Sequence, residues 1–213
     1  MEPHRIAHRI VMLNFNTAPP AGLTVANTLC DLFSAPDTEQ IVSIPRAELL
    51  KVAEETGGHY WTKDAVSRIH LLDSTIRESM RLSDFGSLAF PRRVAAKEGI
   101  KMSGIHVPKG TWMQIPMHNI HIDEDNYTSA AEFRPFRFAR PHAPATGVGE
   151  DDGSKSGPQK SLVTLDDTFL IFGYGRFGCP GRTFGAHLMK VMLAYTLENY
   201  DIEHLESRPP MQT

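Results

Sequence analysis

A chain of 213 residues is long enough for one sizeable core or two small ones, and its 41% hydrophobic and 22% charged content is that of a soluble globular protein. A net charge of -3 gives no electrostatic case for a nucleic-acid or anionic-membrane partner. Cys30 and Cys179 lie too far apart for a disulfide framework or zinc spacing, and with no run of 18 apolar residues and a polar, basic start, neither a membrane span nor a signal peptide is expected.

Residues 5–34 carry Ile6, Ile10, Leu13, Val25, Leu29 and Leu32 at mostly helical spacing. Pro19-Pro20 removes two N–H donors in the middle, which predicts a kink or break. Ser43 to Glu55 reads as a helix with Pro45 in its first turn and Gly57-Gly58 as its stop. Lys63 to Leu82 places Val66, Ile69, Leu72, Ile76 and Met80 on one face of a single amphipathic helix. On that helix Arg77, like Lys51 and Arg68 earlier, is expected on a solvated face.

Phe90 to Ala95 then reads as extended. Gly99 to Pro116 reads as a hairpin, with Ile105 and Val107 on one strand, a Pro108-Lys109-Gly110 turn, and Trp112 and Ile115 on the other. Residues 117–138 are irregular and end in the aromatic-basic cluster Phe133-Arg134-Pro135-Phe136-Arg137-Phe138. The stretch 141–161 is Gly, Ser, Pro and acidic residues with almost nothing apolar, and is expected to be a disordered insertion. Leu162 to Phe172 returns to the core, and Thr183 to Tyr195 has a helical pattern.

Between them lies Phe-Gly-Tyr-Gly-Arg-Phe-Gly-Cys-Pro-Gly-Arg, residues 172–182. Gly173, Gly175, Gly178 and Gly181 let the backbone approach closely, and a helix start directs N–H groups and positive dipole toward the preceding loop. Cys179 is therefore presented as an anionic ligand or nucleophile. A cysteine alone is more often a small buried hydrophobe, and it is the surrounding loop that shifts the balance.

The segment resembles the haem-ligand loop of the cytochrome P-450 family, the haem-thiolate monooxygenases. Phe172, Gly175, Cys179 and Gly181 match its pattern, whereas Phe177 stands where a basic residue is expected. Glu78 and Arg81, at i and i+3 on one helix, match the family's Glu-x-x-Arg pair, and Pro135-Phe136-Arg137-Phe138 matches its Pro-x-Arg-Phe motif. In isolation such a pair is usually an exposed ion pair. The resemblance implies a buried structural trio, Glu78, Arg81 and Arg137, behind the cysteine loop. It also implies a propionate-binding arginine at Arg92 or Arg93, taken as Arg93, and a haem-edge contact at His121.

The resemblance implies the C-terminal half of the cytochrome P-450 fold, mainly α with small β-sheets (α+β), so that 1–213 is a single partial haem-thiolate domain. Cys179 would be the axial ligand of haem b, with electrons from NADPH through NADPH-cytochrome reductase, since no nucleotide fingerprint occurs here. The substrate would be a small apolar organic molecule of fungal secondary metabolism, and the setting intracellular. An anchored longer form would lie on the cytoplasmic face of the endoplasmic reticulum, and this chain otherwise in the cytoplasm. In the family's oxygen-handling helix the threonine region falls here on Ala18-Pro19-Pro20-Ala21, leaving Thr17 as the nearest candidate hydroxyl on the upstream side. That departure supports a competing expectation, a truncated haem-binding fragment without turnover. A small interaction module is a third.

Overall fold

In the computed structural model, residues 2–58, 61–83, 86–139 and 160–210 are described. The expected insertion, apart from Lys160 and Ser161, lies outside them.

Helix α1 runs Pro3–Phe33, with Pro3 in its first turn where a missing N–H is harmless. It passes unbroken through Pro19 and Pro20, against expectation. The two prolines leave the carbonyls of Phe15 and Asn16 without helical donors. Both residues are exposed, so water can satisfy those carbonyls, while Ala21, Val25, Leu32 and Phe33 downstream hold the helix by burial. The first half, including Ile6, Ile10, Leu13 and Phe15, is exposed.

Helix α2, Thr38–Glu55, begins five residues earlier than expected, so Pro45 lies inside it. Its end does follow the glycines: Gly57 and Gly58 take φ of 67° and 83°, and Gly58 N–H donates to the Ala53 carbonyl at 2.7 Å. The single helix expected over 63–82 is two, α3 (Lys63–Ser67) and α4 (His70–Leu82). The cause is long-range. The Glu48 carboxylate on α2 accepts the N–H groups of His70 and Leu71 at 2.9 Å each, capping a new helix start.

The strands also pair differently. β1 (Ala89–Arg93) pairs antiparallel with β4 (Trp112–Ile115), in the register Arg92 to Met113 and Arg93 to Trp112. β2 (Ile100–Met102) pairs with β3 (Ile105–Val107). The tight turn is Ser103-Gly104, where φ is 47° and 83°, matching the twist of a two-residue hairpin. Pro108-Lys109-Gly110 instead carries the chain back to β1, where Gly110 N–H meets the Val94 carbonyl at 2.9 Å.

The stretch expected to be irregular contains a short helix, α5 (Met117–His121). After a 3-10 turn at Gly175–Phe177 comes α6 (Arg182–Asn199), which packs on α1, α2, α3 and α4. Leu32, Leu72, Ile76, Phe169, Leu193 and Leu197 form the centre of the resulting core. The tail returns across it, with Leu205 N–H on the Phe33 carbonyl at 2.7 Å and Arg208 on Asp31 and Ser83. Helices dominate and the two sheets are small, as expected for an α+β fold.

Candidate haem-thiolate site

The cysteine loop is held by its own backbone. Cys179 N–H donates to the Phe172 carbonyl at 2.6 Å, closing the loop at its base. Phe177 N–H reaches Tyr174 and Gly178 N–H reaches Gly175, both at 3.1 Å, which makes the tight turn between. At Gly173 glycine is required by both conformation and space. Gly173 has φ 82°, and a Cβ there would stand 2.5 Å from the Phe177 carbonyl oxygen. A Cβ at Gly178 would strike the Leu165 side chain. At Gly181, which precedes α6, a Cβ would sit 3.9 Å from Cys179 Sγ.

Cys179 is half-buried and carries a free thiol. Arg182, in the first turn of α6, donates from Nη1 to the Cys179 carbonyl at 3.0 Å and from Nε to the Val163 carbonyl at 3.3 Å. The sulfur-bearing residue is thus pinned from both sides. Among the described residues no group of three or more His, Cys, Asp or Glu is placed to hold a metal ion. A lone thiol in a glycine cradle fits the donor set of a haem-thiolate centre, which takes one protein sulfur.

Glu78, Arg81 and Arg137 come together around one shared carboxylate. Arg81 donates from Nε and Nη2 to the two Glu78 oxygens, each at 2.8 Å, and Arg137 Nε lies 3.0 Å from Oε1. The side chains of Glu78 and Arg81 are fully buried and that of Arg137 is 2% exposed. The spare donors go to carbonyls: Arg81 Nη1 to His121 and Ala130, Arg137 to Thr128 and Ser129. One carboxylate is shared by two guanidiniums and backbone carbonyls take their remaining donors, which is what makes burial tolerable.

The remaining predicted residues are dispersed. His121 has a fully buried ring, stacked on Phe169 at 5.7 Å, and its Nε2 accepts the Leu170 N–H at 3.1 Å. That is a correction to the haem-edge reading: with no exposed atom, the ring steadies the chain entering the cysteine loop. Burial, and next the Arg81 charge, push its pKa down from 6.5 to about 4, so it is neutral. Arg93 is exposed and donates to the Gly110 carbonyl at 3.3 Å. Arg92 instead stands over the Phe177 ring, 4.6 Å from its centroid, and Arg176 lies 4.8 Å from the same ring. Thr17 lies on the first half of α1, its hydroxyl donating to the Leu13 carbonyl at 2.7 Å.

Arg77 was expected on a solvated face, and that expectation fails. It is fully buried, with Asp166 2.7 Å from Nη2. The overlooked signal is its spacing, since it lies four residues before Arg81 and so shares that residue's face.

A helical fold that sets a half-buried thiol in a glycine loop before a helix, and that buries a carboxylate-arginine trio, defines a haem-thiolate class of protein. The Cytochrome P450 family model matches residues 22–213. The chain is 37% identical to cytochrome P450 monooxygenase gloP of Glarea lozoyensis, over 98% of this chain and 39% of that protein. It is 36% identical to cytochrome P450 monooxygenase htyF of Aspergillus rugulosus, over 100% of this chain and 31% of that protein. A crystal structure of a cytochrome P450 (CYP102L1) superposes with a TM-score of 0.67 at 23% identity, covering 95% of this chain and 40% of that one. The chain belongs to the cytochrome P450 family, and it spans well under half the length of these relatives. Among the described residues no helix is long and apolar enough to cross a membrane.

Proposed function

We propose that the chain is the haem-binding part of a monooxygenase that oxidises a small apolar organic molecule in fungal secondary metabolism, with Cys179 as the axial iron ligand. The observation that carries this reading is the half-buried Cys179 itself, clamped between the Phe172 carbonyl and Arg182. Haem b, when bound, supplies oxygen activation, which an electron-rich thiolate favours. The electrons come from NADPH through a separate reductase, in an intracellular setting.

The chain's own residues do the holding. Gly173, Gly175 and Gly181 keep the loop open around the sulfur, Phe172 fixes its base, and Arg92, Arg93 and Arg176 provide cations for the cofactor's carboxylates. Glu78, Arg81 and Arg137 keep the wall behind the loop rigid. His121 acts one step back, through Leu170.

A second reading, haem binding without turnover, is favoured by one observation on α1. Pro19 and Pro20 occupy its middle, and the flanking Thr17 and Thr24 hydroxyls donate to the helix's own carbonyls at Leu13 and Pro20. Haem loading of the purified chain, followed by a ferrous-carbonyl spectrum, tests ligation. A red-shifted thiolate-type Soret band is expected, and an unshifted band or no pigment overturns the reading. Product formation with added reductase then separates turnover from binding alone.

A further inference from the structure

Arg77 lies outside the Glu78 trio, yet no part of it reaches solvent. Burial presses its pKa below the ordinary guanidinium range, with Asp166 opposing, so the site must compensate the charge. Most of the compensation comes from one segment. Nη1 donates to the Ser161 carbonyl at 2.8 Å and the Thr164 carbonyl at 3.0 Å, and Nη2 pairs with Asp166 Oδ2 at 2.7 Å. The guanidinium lies 3.9 Å from the centroid of the Phe169 ring and 4.9 Å from that of Phe138.

Asp166 is engaged on its other oxygen too. Oδ1 accepts from Thr168 N–H at 3.0 Å, the Thr168 hydroxyl at 2.8 Å and Phe169 N–H at 2.8 Å. This turn leads directly into Leu170, held by His121, and Phe172, whose carbonyl holds Cys179 N–H. A helix of the core thus grips the stretch of chain that delivers the cysteine, at points thirteen to eighteen residues before it.

We propose that Arg77, through its ion pair with Asp166, is a positioning residue for Cys179: it fixes the entry to the cysteine loop independently of the Glu78 trio. The proposal rests on Cys179 being the ligand-bearing position and concerns how that position is held. Lysine cannot replace the fork, because one ammonium cannot span two carbonyls and a carboxylate in the same plane.

The test uses the whole chain, first without haem. Arg77→Gln, Arg77→Lys and Asp166→Asn are treated with iodoacetamide, and the alkylation rate of Cys179 is read against Cys30 as an internal reference by mass spectrometry. Release of the segment is expected to raise the Cys179-to-Cys30 rate ratio about tenfold in Asp166→Asn and Arg77→Gln, and less in Arg77→Lys. A ratio that is unchanged, or that falls, overturns the proposal. So does a parallel rise at both cysteines, the mark of general loosening. Asp166→Asn conserves volume and serves if Arg77→Gln does not fold. Haem loading is then measured separately: a wild-type chain that takes up no haem counts against the functional reading, while the labelling ratio still decides the role of Arg77.

Discussion

Arg137 donates its Nε–H to both oxygens of Glu78 across 59 positions of sequence, at 3.0 and 3.1 Å. The same carboxylate is gripped by Arg81 from one turn along α4, and it also accepts the Arg134 N–H at 3.1 Å. One carboxylate therefore gathers a helix and a distant loop into one wall. Glu78→Gln removes the negative charge shared by two buried guanidiniums and should cost about 3–5 kcal/mol, read as a lowered urea midpoint. Haem uptake should fall with it. An unchanged midpoint would mean the trio contributes no net stability.

The cysteine loop contains an internal control for backbone strain. Gly175 has φ 55° with open space at its Cβ position, whereas Gly173 has φ 82° and would clash with the Phe177 carbonyl. Gly175→Ala should cost about 1–2 kcal/mol from conformation alone. Gly173→Ala should cost more and should disturb the Cys179 N–H bond to Phe172. Thermal unfolding of the two variants checks the order, and equal midpoints would count against the steric account.

His121 makes stability depend on pH in a definite direction. Its folded pKa of about 4 lies below the ordinary 6.5, so between these values the unfolded chain binds more protons than the folded one. Stability therefore rises with pH across this window and is lost as pH falls from 6.5 toward 4. Relative to His121→Gln, the parent should lose about 2 kcal/mol between pH 7 and pH 5 in urea titrations. Asp31 and Glu48, whose pKa values burial raises, act in the opposite sense but cancel in this difference. A flat difference would place a charged imidazole in the fold.

Cys179→Ser should leave the unfolding midpoint within about 1 kcal/mol, because the side chain is half-buried and the loop is held by backbone bonds. The red-shifted ferrous-carbonyl band should vanish. Its persistence would assign the ligand elsewhere.

The C-terminal end of α2 and the glycine loop were legible because their signals are local: Gly57-Gly58 can take positive φ wherever they occur, and so can Gly173. Glu78, Arg81 and Arg137 were legible as chemistry through their spacing and likeness to known motifs. The division of 63–82 was not, since the cap that splits it comes from Glu48 on another helix. Nor was the pairing of β4 with β1, because Pro108-Lys109-Gly110 reads locally as a hairpin turn and only packing returns it to Val94.

What the sequence determined by itself is the loop that presents Cys179 and the kinds of residue that support it, because backbone freedom and charge are properties of residues in their immediate order. Tertiary structure alone decided which charges are buried. Arg77 and Arg93 are both arginines, yet one is sealed between Phe138 and Phe169 and the other lies in solvent. Burial depends on what the rest of the chain brings alongside, and that is settled by long-range contacts no local pattern contains.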